Sequence, residues 1–172
     1  MANLKEELLN KINTKTARVG IVGLGYVGLP LAVEFARAGY ETIGFDVQKS
    51  KVDMVNAGHN YIGDVVGETL KEEVETGRLR ATSDFKFVAD VDAVAICVPT
   101  PLDAHQQPDI SYVRSSTEAV SKYLKKNTMV VLESTTYPGT TEELIRPILE
   151  QGSGLKCGEE FYLGFSPERV DP

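Results

Sequence analysis

The chain has 172 residues, 42% hydrophobic and 25% charged, with a net charge of −7. That length suffices for one domain with a sizeable core, and the acidic balance offers no electrostatic footprint for nucleic acid or an anionic membrane surface. Two cysteines, Cys97 and Cys157, make neither a disulfide framework nor a C-x-x-C metal spacing, which fits a reducing cytosol; no apolar run is long enough for a bilayer span or reads as a signal peptide.

Residues Ala2 to Asn13 read as a short amphipathic helix, with Leu4, Leu8 and Ile12 on one face and charges on the rest. Residues 1–13 are therefore expected to form an extension, and 14–172 the domain itself. The next stretch organises the chain. Val19 to Val22 is a short apolar run that breaks into Gly23, Gly25 and Gly28, and a helical pattern follows through Leu29, Leu31, Ala32, Val33, Phe35 and Ala36. Strand, glycine turn and helix is the context in which G-x-G-x-x-G signals dinucleotide binding. Gly23 permits the tight turn, Gly25 a close backbone approach to a pyrophosphate, and Gly28 close packing of helix on strand. The helix start adds unpaired N–H groups and a positive dipole end. Pro30 falls in the first turn, where a missing N–H costs little, and Gly39 suits the end of the helix.

A second strand-like run, Glu41 to Phe45, ends in Asp46, eighteen residues past Gly28. A carboxylate there accepts hydrogen bonds from the ribose hydroxyls of NAD and repels the 2′-phosphate of NADP, so the expected cofactor is NAD. Gln48 to Ala57 reads as a helix whose Lys51 lies either at the adenosine edge or on a solvated face. A turn-rich loop, Gly58 to Gly67, carries His59 and Tyr61. A helix over Glu68 to Glu75 follows, then a strand over Arg78 to Thr82 and a brief helix to Val88 capped by Ser83 or Asp84.

Asp92 to Val98 is a near-continuous apolar run, as expected of a strand buried on both faces, so Cys97 reads as a core residue. Pro99-Thr100-Pro101 fixes an extended path at its carboxyl end. A polar loop over Asp103 to Asp109 leads into a helix capped by Ser111 or Asp109, with Val113, Ala119, Val120, Tyr123 and Leu124 facing inward. Thr128 to Leu132 is a further buried strand ending in the polar cluster Glu133 to Gly139. Thr140 and Glu143 have capping-box spacing at the start of a helix that Pro147 should kink or shorten. Gln151 to Glu160 reads as a loop and Phe161 to Phe165 as the last strand. Such alternation implies an α/β fold: a Rossmann-type, doubly wound parallel sheet with helices on both faces. His59 and His105 sit singly in polar loops, so no metal site is expected.

Five ordered motifs make a resemblance specific: Gly-Leu-Gly-Tyr-Val-Gly-Leu-Pro (23–30), Val-Pro-Thr-Pro-Leu (98–102), Pro-Asp-Ile-Ser-Tyr-Val (108–113), Glu-Ser-Thr-Thr-Tyr-Pro-Gly (133–139) and Ser-Pro-Glu-Arg-Val (166–170). From about Ala17 to Pro172 the chain resembles the N-terminal NAD-binding domain of the UDP-glucose/GDP-mannose dehydrogenase family. The last two motifs are most similar to the branch acting on UDP-N-acetylated hexosamines, the N-acetylglucosamine type in particular.

The resemblance implies oxidation of a sugar C6 alcohol to a carboxylate with two NAD and no metal, through an aldehyde captured by a cysteine. It implies that Tyr26 and Val27 contact the pyrophosphate, that Asp46 and Lys51 hold the adenosine ribose, and that Thr100 and Thr135 line the nicotinamide side. Glu168 matches the family's catalytic glutamate, acting with a water that Thr135 helps to position; by itself it reads equally well as a surface acid. Arg169 and Val170 match positions that touch the UDP-sugar.

The family's nucleophilic cysteine and its lysine lie beyond a long central helix that usually carries the dimer contact. This chain stops at Pro172, and Cys157 is in the wrong place to inherit the role. The chain is thus expected to be the NAD-binding part of a homodimeric or larger enzyme, inactive alone. Other readings are a stand-alone NAD-sensing module, a UDP-glucose dehydrogenase, or a hydroxyacid or phosphogluconate dehydrogenase. The last lacks the Val-Pro-Thr-Pro and Ser-Pro-Glu-Arg motifs.

Overall fold

The computed structural model describes residues 3–102 and 107–167. The helices are α1 (Leu4–Asn13), α2 (Gly28–Arg37), α3 (Lys49–Asn56), α4 (Gly67–Glu75), α5 (Ser111–Ser121) and α6 (Arg146–Ser153). The strands are β1 (Arg18–Val22), β2 (Glu41–Phe45), β3 (Leu79–Thr82), β4 (Ala93–Ile96), β5 (Met129–Leu132) and β6 (Tyr162–Phe165). They form one sheet in the order β3-β2-β1-β4-β5-β6, and all five pairings are parallel. This is the doubly wound Rossmann order, and it places the reversal of strand order between β1 and β4.

Strand alternation divides the core between two faces. Val19 and Ile21 of β1, with Ala95 of β4 and the following Cys97, pack against Leu29, Ala32, Val33 and Ala36 of α2, Val52 and Val55 of α3, and Leu70 of α4. Val22, Val94, Ile96, Val130 and Leu132 face the other way, onto Val113 and Val120 of α5 and Leu149 of α6. The sheet is thus covered on both sides, which accounts for the apolar reading of β4.

At the amino end of the sheet, the carboxylate of Asp92 gathers several donors. It accepts the Arg18 N–H at 3.0 Å and the ammonium groups of Lys11 at 3.1 Å and Lys125 at 3.3 Å. Lys11 lies in the last turn of α1, so this acid ties the first helix to the sheet. Burial alone would raise its pKa, but the Arg18 N–H and the Lys11 and Lys125 ammoniums hold it below the ordinary carboxylate value.

Most expected elements fall within a residue or two of the observed ones, and Gly39 ends α2 at φ +99°. Asp84 caps the 3₁₀ turn over Phe85–Asp90 by accepting the Lys86 N–H. The segment after Gly139 departs from expectation. Thr140 already has helical dihedrals and its hydroxyl donates to the Tyr137 carbonyl at 2.7 Å, so it makes no capping box with Glu143. Residues Thr141–Ile145 wind as a π turn, with the Arg146 N–H reaching back five residues to the Thr141 carbonyl. Pro147 accounts for this: it has no N–H to give, and its ring would press on the preceding turn of an α-helix, so a wider turn accommodates it.

Two further expectations are corrected. Helix α6 runs to Ser153 and ends on left-handed Gly154, so the expected loop from Gln151 starts three residues late. Tyr123 lies beyond the end of α5 and is exposed, while Thr117 and Ser121 take buried positions, Thr117 by donating its hydroxyl to the Val113 carbonyl. Among the described residues, no helix is long and apolar enough to cross a membrane.

Candidate functional site

A cleft of about 450 Å³ opens at the carboxyl ends of β1 and β4, where the strand order reverses. It is within the usual size range of small-molecule sites, and this is the position at which open α/β sheets bind ligands. Gly23, Gly25, Tyr26, Val27, Asp46, Lys51, Thr100 and Thr135 all line it. These come from four separate stretches of sequence, and the crossovers bring them to one edge.

Each glycine of the turn has a different geometry. Gly23 adopts φ +92°, and a Cβ there would lie 2.5 Å from the Cys97 carbonyl oxygen. A Cβ at Gly28 would overlap the Gly23 carbonyl. Gly28 therefore supports the cleft from behind. At Gly25 a Cβ would meet nothing within 4 Å, so its missing side chain leaves open space where the chain turns into α2. The first helical bond there runs from the Leu29 N–H to the Gly25 carbonyl at 3.0 Å. The preceding amides belong to the set that a helix start leaves without internal partners and that suits an anion.

Asp46 is buried at the end of β2. One carboxylate oxygen accepts the Leu24 N–H at 2.9 Å and the other the Gln48 N–H at 2.8 Å, while the Lys51 ammonium lies 3.8 Å away. The acid thus faces the glycine turn across two strands, with Lys51 beside it as expected. Carboxylate, glycine turn and open space together fit an adenosine ribose joined to a pyrophosphate.

The opposite wall is built from the ends of β4 and β5, which sequence reasoning assigned through Thr100 and Thr135 alone. Glu133 and Ser134 also line it. Ser134 is buried; its hydroxyl accepts the Val98 N–H at 3.1 Å and donates to the Val98 carbonyl at 2.8 Å. That hydroxyl bridges the two chains beyond the ladder, where β4 and β5 part. Glu133 accepts a hydrogen bond from the Ser166 hydroxyl at 3.2 Å, which connects this wall to the end of β6. Only a polar residue directly after a buried strand hinted at either role. The expected Glu168, Arg169 and Val170 lie outside the described residues, as does His105.

The comparison with known families decides what kind of domain this is. The model for the NAD binding domain of the UDP-glucose/GDP-mannose dehydrogenase family matches residues 17–172. The chain belongs to this family. Its curated relatives include the UDP-N-acetyl-D-glucosamine 6-dehydrogenases of Pseudomonas aeruginosa, 41% identical over 92% of this chain and 36% of that protein, and of Salmonella typhi, 42% identical over 90% and 36%. A solved structure, the NDP-N-acetyl-D-galactosaminuronic acid dehydrogenase from Methanosarcina mazei Go1, superposes with a TM-score of 0.87 at 39% identity, over 99% of this chain and 38% of that one. The chain therefore spans little more than a third of the length of these family members, and the part it spans is the family's NAD binding domain.

Proposed function

We propose that the cleft holds NAD with the adenosine ribose at Asp46 and Lys51, the pyrophosphate at Gly25, Tyr26 and Val27, and the nicotinamide toward Thr100 and Thr135. The observation that carries this reading is the convergence of these residues, from four stretches of the chain, on the cleft between β1 and β4. Bound there, NAD supplies the hydride acceptor. The chain's part is to orient it: Asp46 accepts from the ribose, and the turn amides donate to the phosphates.

The whole protein, in this reading, oxidises the C6 hydroxyl of a UDP-N-acetylhexosamine of the N-acetylglucosamine type to the uronate. Thr135, exposed at the end of β5, helps to position the reacting water. Glu168 acts as acid or base, and Arg169 and Val170 meet the UDP-sugar. Support comes from the Glu133–Gly139 and Ser166–Val170 motifs and from relatives named for N-acetylated sugars. The 172-residue chain alone is inactive, because the nucleophilic cysteine implied by the family resemblance matches neither Cys97, buried in the core, nor Cys157, beside β6.

NADH formation tests both parts. The chain alone should bind NAD yet produce no NADH with UDP-N-acetylglucosamine, UDP-N-acetylmannosamine or UDP-glucose. The whole protein should oxidise the N-acetylated sugars in preference to UDP-glucose. Turnover by the isolated chain, or preference of the whole protein for UDP-glucose, would overturn the corresponding part.

A further inference from the structure

Leu24, between the first two glycines of the turn, is held on three sides. Its N–H donates to Asp46 at 2.9 Å, and its carbonyl accepts the Tyr61 hydroxyl at 2.7 Å. Its side chain is fully buried over Gly44, where a Cβ would come within 2.7 Å of it. Tyr61 comes from the loop between α3 and α4, which is itself cross-linked. Asn60 accepts the Ile62 N–H at 2.9 Å and donates to the carbonyls of Ile62 at 2.8 Å and Val65 at 2.7 Å. Ile62 and Val65 are anchored in the core. The tyrosine is thus delivered to the turn by a braced loop.

Its hydroxyl sits at a decisive acceptor. The α2 ladder begins with the Leu29 N–H on the Gly25 carbonyl. The next acceptor back is the Leu24 carbonyl, which would draw the Gly28 N–H into a further helical turn. Tyr61 occupies that carbonyl. Burial, and secondarily the charge of Asp46, hold the phenol well above its ordinary pKa, so it remains a donor throughout the neutral range.

We propose that Tyr61 is a positioning residue for the dinucleotide pyrophosphate: by holding the Leu24 carbonyl, its hydroxyl keeps the glycine turn in the shape that presents the Gly25, Tyr26 and Val27 amides to the phosphates. The inference rests on the NAD reading of the cleft. It assigns Tyr61 no contact with the cofactor.

Tyr61→Phe removes the hydroxyl and keeps the ring. Titrations of the 172-residue chain with NAD, ADP-ribose and adenosine separate the roles. In the variant, affinity for NAD and ADP-ribose should fall about five- to tenfold, as for loss of one hydrogen bond, while adenosine, which carries no phosphate, should change less than twofold. An equal loss for all three ligands, or no loss for any, would overturn the proposal. A ligand-free readout accompanies it: the backbone amide NMR shifts of Leu24 to Val27 should move in Tyr61→Phe, and unmoved shifts would count against it. If the parent binds neither NAD nor ADP-ribose, the cleft reading itself fails and this inference with it; a parent that binds both, with an unaffected variant, defeats the Tyr61 role alone.

Discussion

Gly28 presses so closely on the carbonyl of Gly23 that any side chain at position 28 would overlap it, although the two residues stand on opposite sides of the same turn. Three residues before Gly28, Gly25 faces open space. These glycines therefore respond differently to the same change. Gly28→Ala should destabilise the domain by about 1–3 kcal/mol or more through overpacking, with binding lost as a consequence. Gly25→Ala should leave urea unfolding within about 0.5 kcal/mol of the parent, as for a surface substitution, while weakening NAD at least about tenfold by filling the phosphate approach. Parallel unfolding and NAD titrations on the two variants check this.

The Asp92 cluster gives a pH dependence of known sign. Its pKa is depressed in the folded chain, so its contribution is fully present above the unfolded carboxyl pKa of about 3.9 and is lost as pH falls through the lower folded value. Asp92→Asn should be less stable than the parent by about 1–3 kcal/mol at neutral pH, since a buried group then fails to pair with Lys11 and Lys125. The difference should start to shrink below about pH 4, where the carboxyl protonates in the unfolded chain, and should vanish once the pH falls below the lower folded value. Urea denaturation across that range measures it; a difference that stays constant to low pH would remove Asp92 as its source.

Ser134 joins the ends of β4 and β5, which form one wall of the cleft, through the backbone of Val98. Ser134→Ala should strand the part-buried Val98 N–H and lower stability by about 1–2 kcal/mol, seen as a lower urea midpoint with an unchanged slope. NAD should also bind more weakly, because the ends carrying Thr100 and Thr135 lose their bridge.

Much of this architecture was legible because it is written locally. The break of an apolar run into Gly23, Gly25 and Gly28, and the acid at the end of the next strand, signal both the turn and its partner without any knowledge of distant contacts. Thr100 and Thr135 were legible through motif and strand-end position. What escaped depends on pairing across the fold. Tyr61 lies in a loop of ordinary turn residues, and nothing nearby shows that its hydroxyl reaches Leu24, 37 residues earlier. Gly152 looks like an unfavourable helix residue, yet a Cβ there would collide with Ser121 of α5, so its role is close packing of α6 on α5. The capping-box spacing of Thr140 and Glu143 misled for a related reason: the constraint came from Pro147, one turn further on.

In the proposed function, Asp46 and the glycine turn together receive the adenosine ribose and pyrophosphate of NAD. Calorimetric titration of the parent chain and of Asp46→Ala with NAD and NADP measures it most directly. The parent should bind NAD more tightly than NADP, and Asp46→Ala should lose about tenfold to a hundredfold in NAD affinity, as for hydrogen bonds to a charged group. Equal or tighter binding of NADP by the parent, or unchanged NAD affinity in the variant, would contradict it.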